Sequence, residues 1–203
     1  MREYYIFGSG QFAELIKDLL QEENKINKNR IFFISKKRIN KKYYIDEKSF
    51  FLIKKKVNVY IGIGDVKKRI KIISILKKKN FHFPNLISKS AKIMKKCNLG
   101  KGNIILPNST ILTASKIKDF NIIGTSATIL HHCNISTNCV IGGGSTIGSG
   151  SQVGENSFIG VGSVIASNNL KIGKNSFISS GSVLLNDISN DSKVIGNPAR
   201  KIL

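Results

Sequence analysis

Residues 129–165 read ILHHCNISTNCVIGGGSTIGSGSQVGENSFIGVGSVI, and an aliphatic side chain recurs at every sixth position of this stretch. The same series runs without a miss from Ile87 to Ile165, and after a one-residue slip it resumes at Ile172 and continues to Leu184. An α-helix would scatter a period of six around its cylinder, because it has 3.6 residues per turn. The period therefore predicts a repetitive solenoid of short strands joined by tight corners.

A second position of the hexad, four residues after the aliphatic one, is mostly small, and all three cysteines occupy it. Cys97 and Cys133 are 36 residues apart, and on the three-hexad coil implied by the family resemblance described below they fall on the same corner two coils apart, at about 9.6 Å for a strand spacing of about 4.8 Å. A disulfide needs Cα atoms within about 7 Å. We therefore expect Cys97, Cys133 and Cys139 to be free, structural cysteines in a reducing compartment.

This pattern resembles the hexapeptide-repeat family, over residues 87 to 188. In that family three hexads form one triangular coil of a left-handed parallel β-helix. The resemblance implies that each aliphatic residue points into the prism and stacks on its counterpart eighteen residues away. The left-handed winding is implied by the family alone, since crossover connections between parallel strands are otherwise right-handed.

The first 85 residues follow a different pattern, in which strands alternate with helices. Apolar runs predict strands at YYIF, at IFFIS (31–35) and at VNVYIGIG (57–64), with a helix after the first strand and a basic amphipathic helix over 66–79. Such alternation predicts a small parallel α/β domain of Rossmann-like type. We therefore expect domains at 1–85 and 86–203, the second an all-β left-handed β-helix.

The segment Gly8-Ser-Gly-Gln-Phe-Ala13 matches a G-x-G-x-x-G/A pattern between a strand and a helix, where main-chain N–H groups can bind phosphate. Binding of NAD is disfavoured. The dinucleotide pattern requires an acidic residue about 20 positions on, and the second strand ends in Ser35-Lys36 instead.

Together the two halves resemble bacterial sugar acetyltransferases of the sialic acid O-acetyltransferase and UDP-4-amino-sugar N-acetyltransferase type. The shared motifs are FGSGQFAE, IGIGDVKKR and the terminal VIGNPARKI. In such enzymes the N-terminal domain holds the nucleotide sugar. The resemblance implies a substrate pocket formed by Gly8, Ser9, Gly10, Ser35, Lys36, Gly64 and Asp65. The alternative is that these glycines only form tight turns between strand and helix.

The hexad Ile129-Leu-His-His-Cys-Asn134 lies where the family carries its catalytic histidine, and His131 takes that position. The next residue is usually a carboxylate that raises the basicity of the histidine, whereas here it is His132. His132 can accept a hydrogen bond but offers no negative charge. The resemblance implies His131 as general base with His132 beside it, and the alternative is a merely structural histidine.

The family also has a second histidine, nine residues after the catalytic one, that contacts acetyl-CoA, and this chain has Val140 there. The implied contacts to acetyl-CoA are Val140, Gly142, Gly143, Gly160, Val161 and Gly162, with Lys171, Lys174, Arg200 and Lys201 as candidates to neutralise its phosphates. No metal is implied. The resemblance further implies a homotrimer whose acyl-donor cleft lies between adjacent subunits.

A net charge of +21 favours a polyanionic partner, yet no Lys or Arg lies between Lys118 and Lys171. A basic module that binds nucleic acid without catalysis is therefore a rival hypothesis.

A metal enzyme of the γ-type carbonic anhydrase class would need three histidines on a metal, and His82 lies outside the repeats. No segment has the roughly 20 apolar residues of a membrane span, so we expect a cytoplasmic protein.

These observations predict an acetyl-CoA-dependent acyltransferase that acetylates the amino group of a nucleotide-linked sugar in surface glycan biosynthesis, with no nucleic-acid partner and no membrane insertion. O-acetylation of sialic acid or another sugar hydroxyl is the alternative.

Overall fold

A computed structural model describes residues 3–36, 42–53, 56–79 and 81–202, and the chain divides into two compact units, Met1–Pro84 and Asn85–Leu203. No helix within the described residues is long and apolar enough to cross a membrane.

The first unit is a four-stranded, all-parallel sheet with helices. Its elements in chain order are β1 (Tyr4–Phe7), α1 (Gln11–Glu22), a 3-10 turn (Lys28–Arg30), β2 (Ile31–Ser35), β3 (Tyr44–Asp46), α2 (Glu47–Phe51), β4 (Asn58–Ile61) and α3 (Val66–Leu76). The strand order is β3-β2-β1-β4. Because all four strands are parallel, their carboxyl ends lie along one edge.

Two details of this unit differ from the sequence-based expectation. The third predicted strand is shorter, Asn58–Ile61. The sequence analysis also missed β3 and α2, which are short and lack a clear period. Asp46 begins α2 by accepting a hydrogen bond from the main-chain N–H of Ser49, and this bond together with that from the Ser49 hydroxyl lowers the pKa of the Asp46 carboxyl.

The second unit is a left-handed parallel β-helix with three faces. The strands of the first face are Leu86–Ile87, Ile104–Ile105, Ile122–Ile123, Val140–Ile141, Phe158–Ile159, Phe177–Ile178 and Lys193–Ile195, with Arg200–Lys201 antiparallel to the last. Those of the second face are Lys92–Ile93, Thr110–Ile111, Thr128–Ile129, Thr146–Ile147, Val164–Ile165 and Val183–Leu184. Those of the third face are Asn98–Leu99, Lys116–Ile117, Asn134–Ile135, Gln152–Val153 and Lys171–Ile172.

The predicted aliphatic row forms the core of this prism. In a two-residue strand one side chain points inward and the other outward, so Ile129 is fully buried whereas Thr128 is half-buried. Strands pair with those eighteen residues away, as Thr128–Ile129 does with Thr146–Ile147. At the slip, Leu170 is buried in the position otherwise occupied by a small residue. The three cysteines are free, as predicted.

The corners of the prism carry a second period of six that the sequence analysis did not recognise. The position concerned, every sixth residue from Gly102 to Gly162, has a φ near +60°, the left-handed conformation. Its occupants are mostly Gly and Asn, including Asn108, Asn138, Gly144, Asn156 and Gly162. These are the residue types that adopt this conformation at least cost, so their spacing was a readable signal.

We name the corners by the faces that they join. The first corner joins the first face to the second and contains residues 142–145 and 160–163. The second corner joins the second face to the third and contains residues 130–133. The third corner joins the third face to the first and contains residues 154–157.

Candidate functional site

The predicted substrate residues of the first unit all follow the carboxyl ends of three adjacent strands. Gly8, Ser9 and Gly10 follow β1, Gly64 and Asp65 follow β4, and Lys36 follows Ser35, the last residue of β2. Ser9, Gly10, Lys36, Gly64 and Asp65 are exposed. The parallel sheet therefore brings these residues to one edge, where open α/β sheets bind their ligands.

The four glycines of this edge divide into an inner and an outer pair. At the inner pair a side chain has no room: a Cβ on Gly8 would lie 2.7 Å from the Gly62 carbonyl oxygen, and one on Gly62 would lie 2.7 Å from Ala13 Cβ. Gly8 also has a φ of +121°. The inner pair, Gly8 and Gly62, is therefore required by packing and backbone conformation.

The outer pair, Gly10 and Gly64, is not required by packing. A Cβ on either residue would meet nothing within 4 Å, and neither has a positive φ. Their main-chain N–H groups, and that of Ser9, donate to no acceptor among the described residues. Bare backbone with free N–H groups facing open space allows close approach of a phosphate.

Asp65 has a structural role that the sequence analysis did not anticipate. Its carboxylate accepts a 2.8 Å hydrogen bond from the Lys68 main-chain N–H and so begins α3. Helix α1 has Gly10 at the equivalent position and no side-chain cap. The first turn of α1 thus presents uncapped N–H groups at the edge, whereas that of α3 is capped by its own carboxylate.

His131 and His132 lie at the second corner of the β-helix, and both are exposed. Their Nδ1 atoms are 3.0 Å apart, and their ring planes are nearly perpendicular at 87°. His132 has a φ of +61°, so it occupies the left-handed position of its turn, and this conformation places consecutive side chains side by side. One Nδ1 must donate and the other accept, and neither Nε2 has a hydrogen-bond partner among the described residues.

The predicted contacts to acetyl-CoA lie at the first corner and on the first face next to it. A Cβ on Gly142 would lie 2.6 Å from the Gly160 carbonyl carbon, so this glycine is required where successive coils stack. Gly143 and Val161 have main-chain N–H groups with no acceptor among the described residues, and the Val161 side chain is 60% exposed. By contrast, the N–H group of Gly162 donates to the Gly143 carbonyl.

Within one chain the histidines and the glycine corner do not meet, because they lie at opposite ends of the second face. The outward positions of that face carry one charge, Lys92 in its first coil. The remainder of this outward row is uncharged: Thr110, Thr128, Thr146, Val164 and Val183. The third face differs, since its outward positions include Lys116 and Lys171.

Two of the candidate residues for phosphate binding, Lys171 and Lys174, lie on the third face and at the third corner of the prism, not at the first corner. Lys171 and Lys174 line a concave region of about 580 Å³ on the third face, together with Lys118 and the side chains of Asn134 and Gln152. Lys174 is paired with Glu155 at 3.1 Å. Arg200 and Lys201 lie in the final strand, beside Lys193–Ile195 on the first face.

The described residues contain no group of three or more His, Cys, Asp and Glu side chains that could hold a metal ion. His82 lies in the first unit, where its Nδ1 is 2.7 Å from Asn58 Oδ1.

By sequence, neither a protein-family model nor a curated protein matches this chain. Solved structures match over its whole length. The acetyltransferase domain of PglB from Neisseria gonorrhoeae FA1090 has a TM-score of 0.91 at 22% identity, covering 100% of both chains. WeeI from Acinetobacter baumannii AYE has a TM-score of 0.90 at 22% identity, again covering 100% of both. The fold is theirs.

A third match is PerB from Caulobacter crescentus, solved in complex with CoA and GDP-perosamine. It has a TM-score of 0.88 at 24% identity, covering 100% of this chain and 98% of that one. At these identities the likeness establishes the common fold. What these proteins bind supplies hypotheses for the present chain.

Proposed function

We propose that this protein is an acetyl-CoA-dependent acetyltransferase that transfers an acetyl group to the amino group of a nucleotide-linked sugar. The observation that carries the proposal is the exposed His131 at the second corner, with its Nδ1 engaged by His132 and its Nε2 free. Support comes from structural neighbours that include an acetyltransferase domain and a protein holding CoA with a nucleotide-linked sugar.

The first unit is proposed to be a Rossmann-like domain, residues 1–85, that holds the nucleotide sugar at the edge defined by Gly10 and Gly64. Both glycines face open space, and the uncapped first turn of α1 attracts a diphosphate through its N–H groups and the helix dipole. Lys36, exposed at the end of β2, adds a positive charge to the same edge. This domain selects the acceptor, and the β-helix, residues 86–203, carries out the transfer.

In the proposed reaction, His131 removes a proton as the sugar amine attacks. The mechanism requires the tautomer of His131 in which Nδ1–H donates to His132 Nδ1 and the lone pair lies on Nε2. Acetyl-CoA supplies the thioester carbonyl. The amine nitrogen bonds to this carbonyl carbon and leaves the charge on the carbonyl oxygen, while the amine proton passes to Nε2. The C=O bond then re-forms as the C–S bond breaks and the thiolate leaves. His132 orients the ring but offers no charge to stabilise the imidazolium.

Free main-chain N–H groups at the first corner are the candidates to stabilise the oxyanion of this reaction. Gly143 and Val161 have such groups, whereas that of Gly162 already donates to a carbonyl of the coil below. Val140 lies on the adjoining first face, 9% exposed, at the position where the family that the sequence resembles has a second histidine. An apolar side chain there contacts the acyl donor by packing instead of hydrogen bonding.

Because the two corners lie apart in one chain, we propose that the transfer site forms between subunits of a homotrimer. Packing the second faces of three copies around a threefold axis would bring the second corner of one copy to the first corner of the next. The nearly uncharged outward row of this face suits such burial, whereas the lysines of the third face do not.

The test is a thiol-release assay with acetyl-CoA against a panel of UDP-, dTDP- and GDP-linked amino sugars and free sialic acid, with products identified by mass spectrometry. We expect N-acetylation of one nucleotide-linked amino sugar. Turnover of sialic acid alone would support the O-acetyltransferase alternative. Absence of turnover, together with salt-sensitive binding to duplex of arbitrary sequence, would support the basic binding module.

A further inference from the structure

The fully buried Arg69 lies beneath the proposed nucleotide-sugar edge. It is in the first turn of α3 and has 0% exposure, on the helix face that also buries Ile72, Ile73 and Leu76. Arginine is rarely buried to this extent unless its donors are satisfied. Burial lowers the pKa of Arg69 to about 10, so the side chain remains charged at neutral pH.

The guanidinium group is bonded to the segment that carries the outer glycine. Its Nη1 donates to the main-chain carbonyl of Ile63 at 3.0 Å and to that of Ile61 at 3.3 Å. These two carbonyls flank Gly62, and the segment then reaches Gly64, which is exposed. Arg69 therefore holds two carbonyls toward the protein interior at the point where β4 ends.

This arrangement has a consequence for the opposite side of the segment. A peptide unit directs its C=O and N–H in opposite directions, so carbonyls turned inward favour N–H groups turned outward. The N–H group of Gly64, one residue beyond the second bonded carbonyl, has no acceptor among the described residues. The positive charge of Arg69 also lies beneath this segment, where low polarity strengthens its field.

We propose that Arg69 is a positioning residue for the acceptor substrate: it holds residues 61–64 in the conformation that receives the diphosphate of a nucleotide sugar. The inference rests on the proposed function and adds to it a residue that does not touch the ligand. Lysine keeps the positive charge, but its compact ammonium group on a flexible stem differs in shape from the planar guanidinium whose Nη1 donates to both carbonyls, so we expect it to replace Arg69 only in part. Charge and positioning can therefore be separated by substitution.

The experiment compares Arg69→Lys, Arg69→Met and the control Arg30→Met on the full-length protein. Arg30 lies in the 3-10 turn that precedes β2, at the opposite end of the strands, over the ring of Tyr4. For Arg69→Met we expect the KM for the nucleotide sugar to rise about tenfold or more, with the KM for acetyl-CoA within about twofold. Arg69→Lys should be intermediate, and Arg30→Met should resemble the wild type.

Thermal unfolding and oligomeric state are measured for each variant, so that general damage is detected. If Arg69→Met does not fold, Arg69→Lys carries the test through the ratio of the two KM values. Equal changes in both KM values, or an unchanged KM for the nucleotide sugar in folded variants, would overturn the role of Arg69. A wild-type protein that acetylates no member of the panel would instead overturn the proposed function.

Discussion

The two units of this protein arrange their candidate residues in opposite ways. In the α/β unit, residues from three distant parts of the sequence meet at one sheet edge, because parallel strands end on the same side. In the β-helix, residues only nine positions apart, such as His131 and Val140, lie on different sides of a triangle. The proposed acceptor edge is thus complete in one chain, whereas the proposed transfer site requires a second copy.

The largest effect should come from removing the proposed base. His131→Ala should lower kcat by about 10²–10⁴-fold with the KM values nearly unchanged, because general-base catalysis contributes about that much. Ser149→Ala is the matched control, since Ser149 occupies the same place in the turn one coil further on. Steady-state kinetics with the sugar that the wild-type protein acetylates measures kcat and KM for both variants. A His131→Ala variant with more than about a tenth of wild-type kcat would place the base elsewhere.

A charge introduced on the second face should affect the β-helix unit and leave the α/β unit unaffected. Thr146→Lys puts an ammonium group in the middle of the uncharged outward row, so burial in a subunit interface becomes costly. We expect a monomer by light scattering, with transferase activity lost and nucleotide binding by the first unit retained. Gln152→Lys, on the third face, is the control and should leave the oligomer intact. A trimer that survives Thr146→Lys would locate the interface on another face.

The inner and outer glycines should respond differently to substitution. Gly64→Val should raise the KM for the nucleotide sugar by about tenfold while thermal stability is kept, because the added side chain meets open space. Gly62→Ala should instead cost about 1–3 kcal/mol of stability, because its Cβ would overlap Ala13 and Ile6. Denaturant unfolding and kinetics of both variants test this pair. An equal change in both KM values for Gly64→Val would argue against an acceptor site at this edge.

A smaller effect is expected where the usual carboxylate is restored beside the base. His132→Glu supplies a negative charge that stabilises the imidazolium of His131, so kcat should equal or exceed that of the wild type. His132→Ala is the comparison, and it should lower kcat because His131 loses the partner of its Nδ1. If both variants lose activity equally, the neighbouring residue acts through the turn conformation and not through the imidazole.

The smallest effect should arise at the third corner, which carries neither candidate site. Asn156 accepts a side-chain hydrogen bond from Asn138 and donates one to Asn175, and its φ is +60°. Asn156→Gly leaves the backbone unstrained but removes both side-chain hydrogen bonds, so we expect the free energy of unfolding to fall by about 1 kcal/mol. Asn156→Ala adds the cost of a left-handed alanine, about 1 kcal/mol more. Kinetic constants should stay at wild-type values, and a change in them would extend the active region to this corner.

The sequence by itself determined a solenoid of short strands, since an α-helix cannot bury a row with a period of six such as the one that includes Ile129 and Ile147. The triangular, left-handed coil was implied by the family resemblance. The sequence also located the glycine turns of the α/β unit, because strand ends are marked locally. Only the tertiary structure decided that Gly62 is required by packing while Gly64 is free, since each depends on distant atoms. The same holds for Arg69, whose carbonyl partners become neighbours only when α3 folds back on β4.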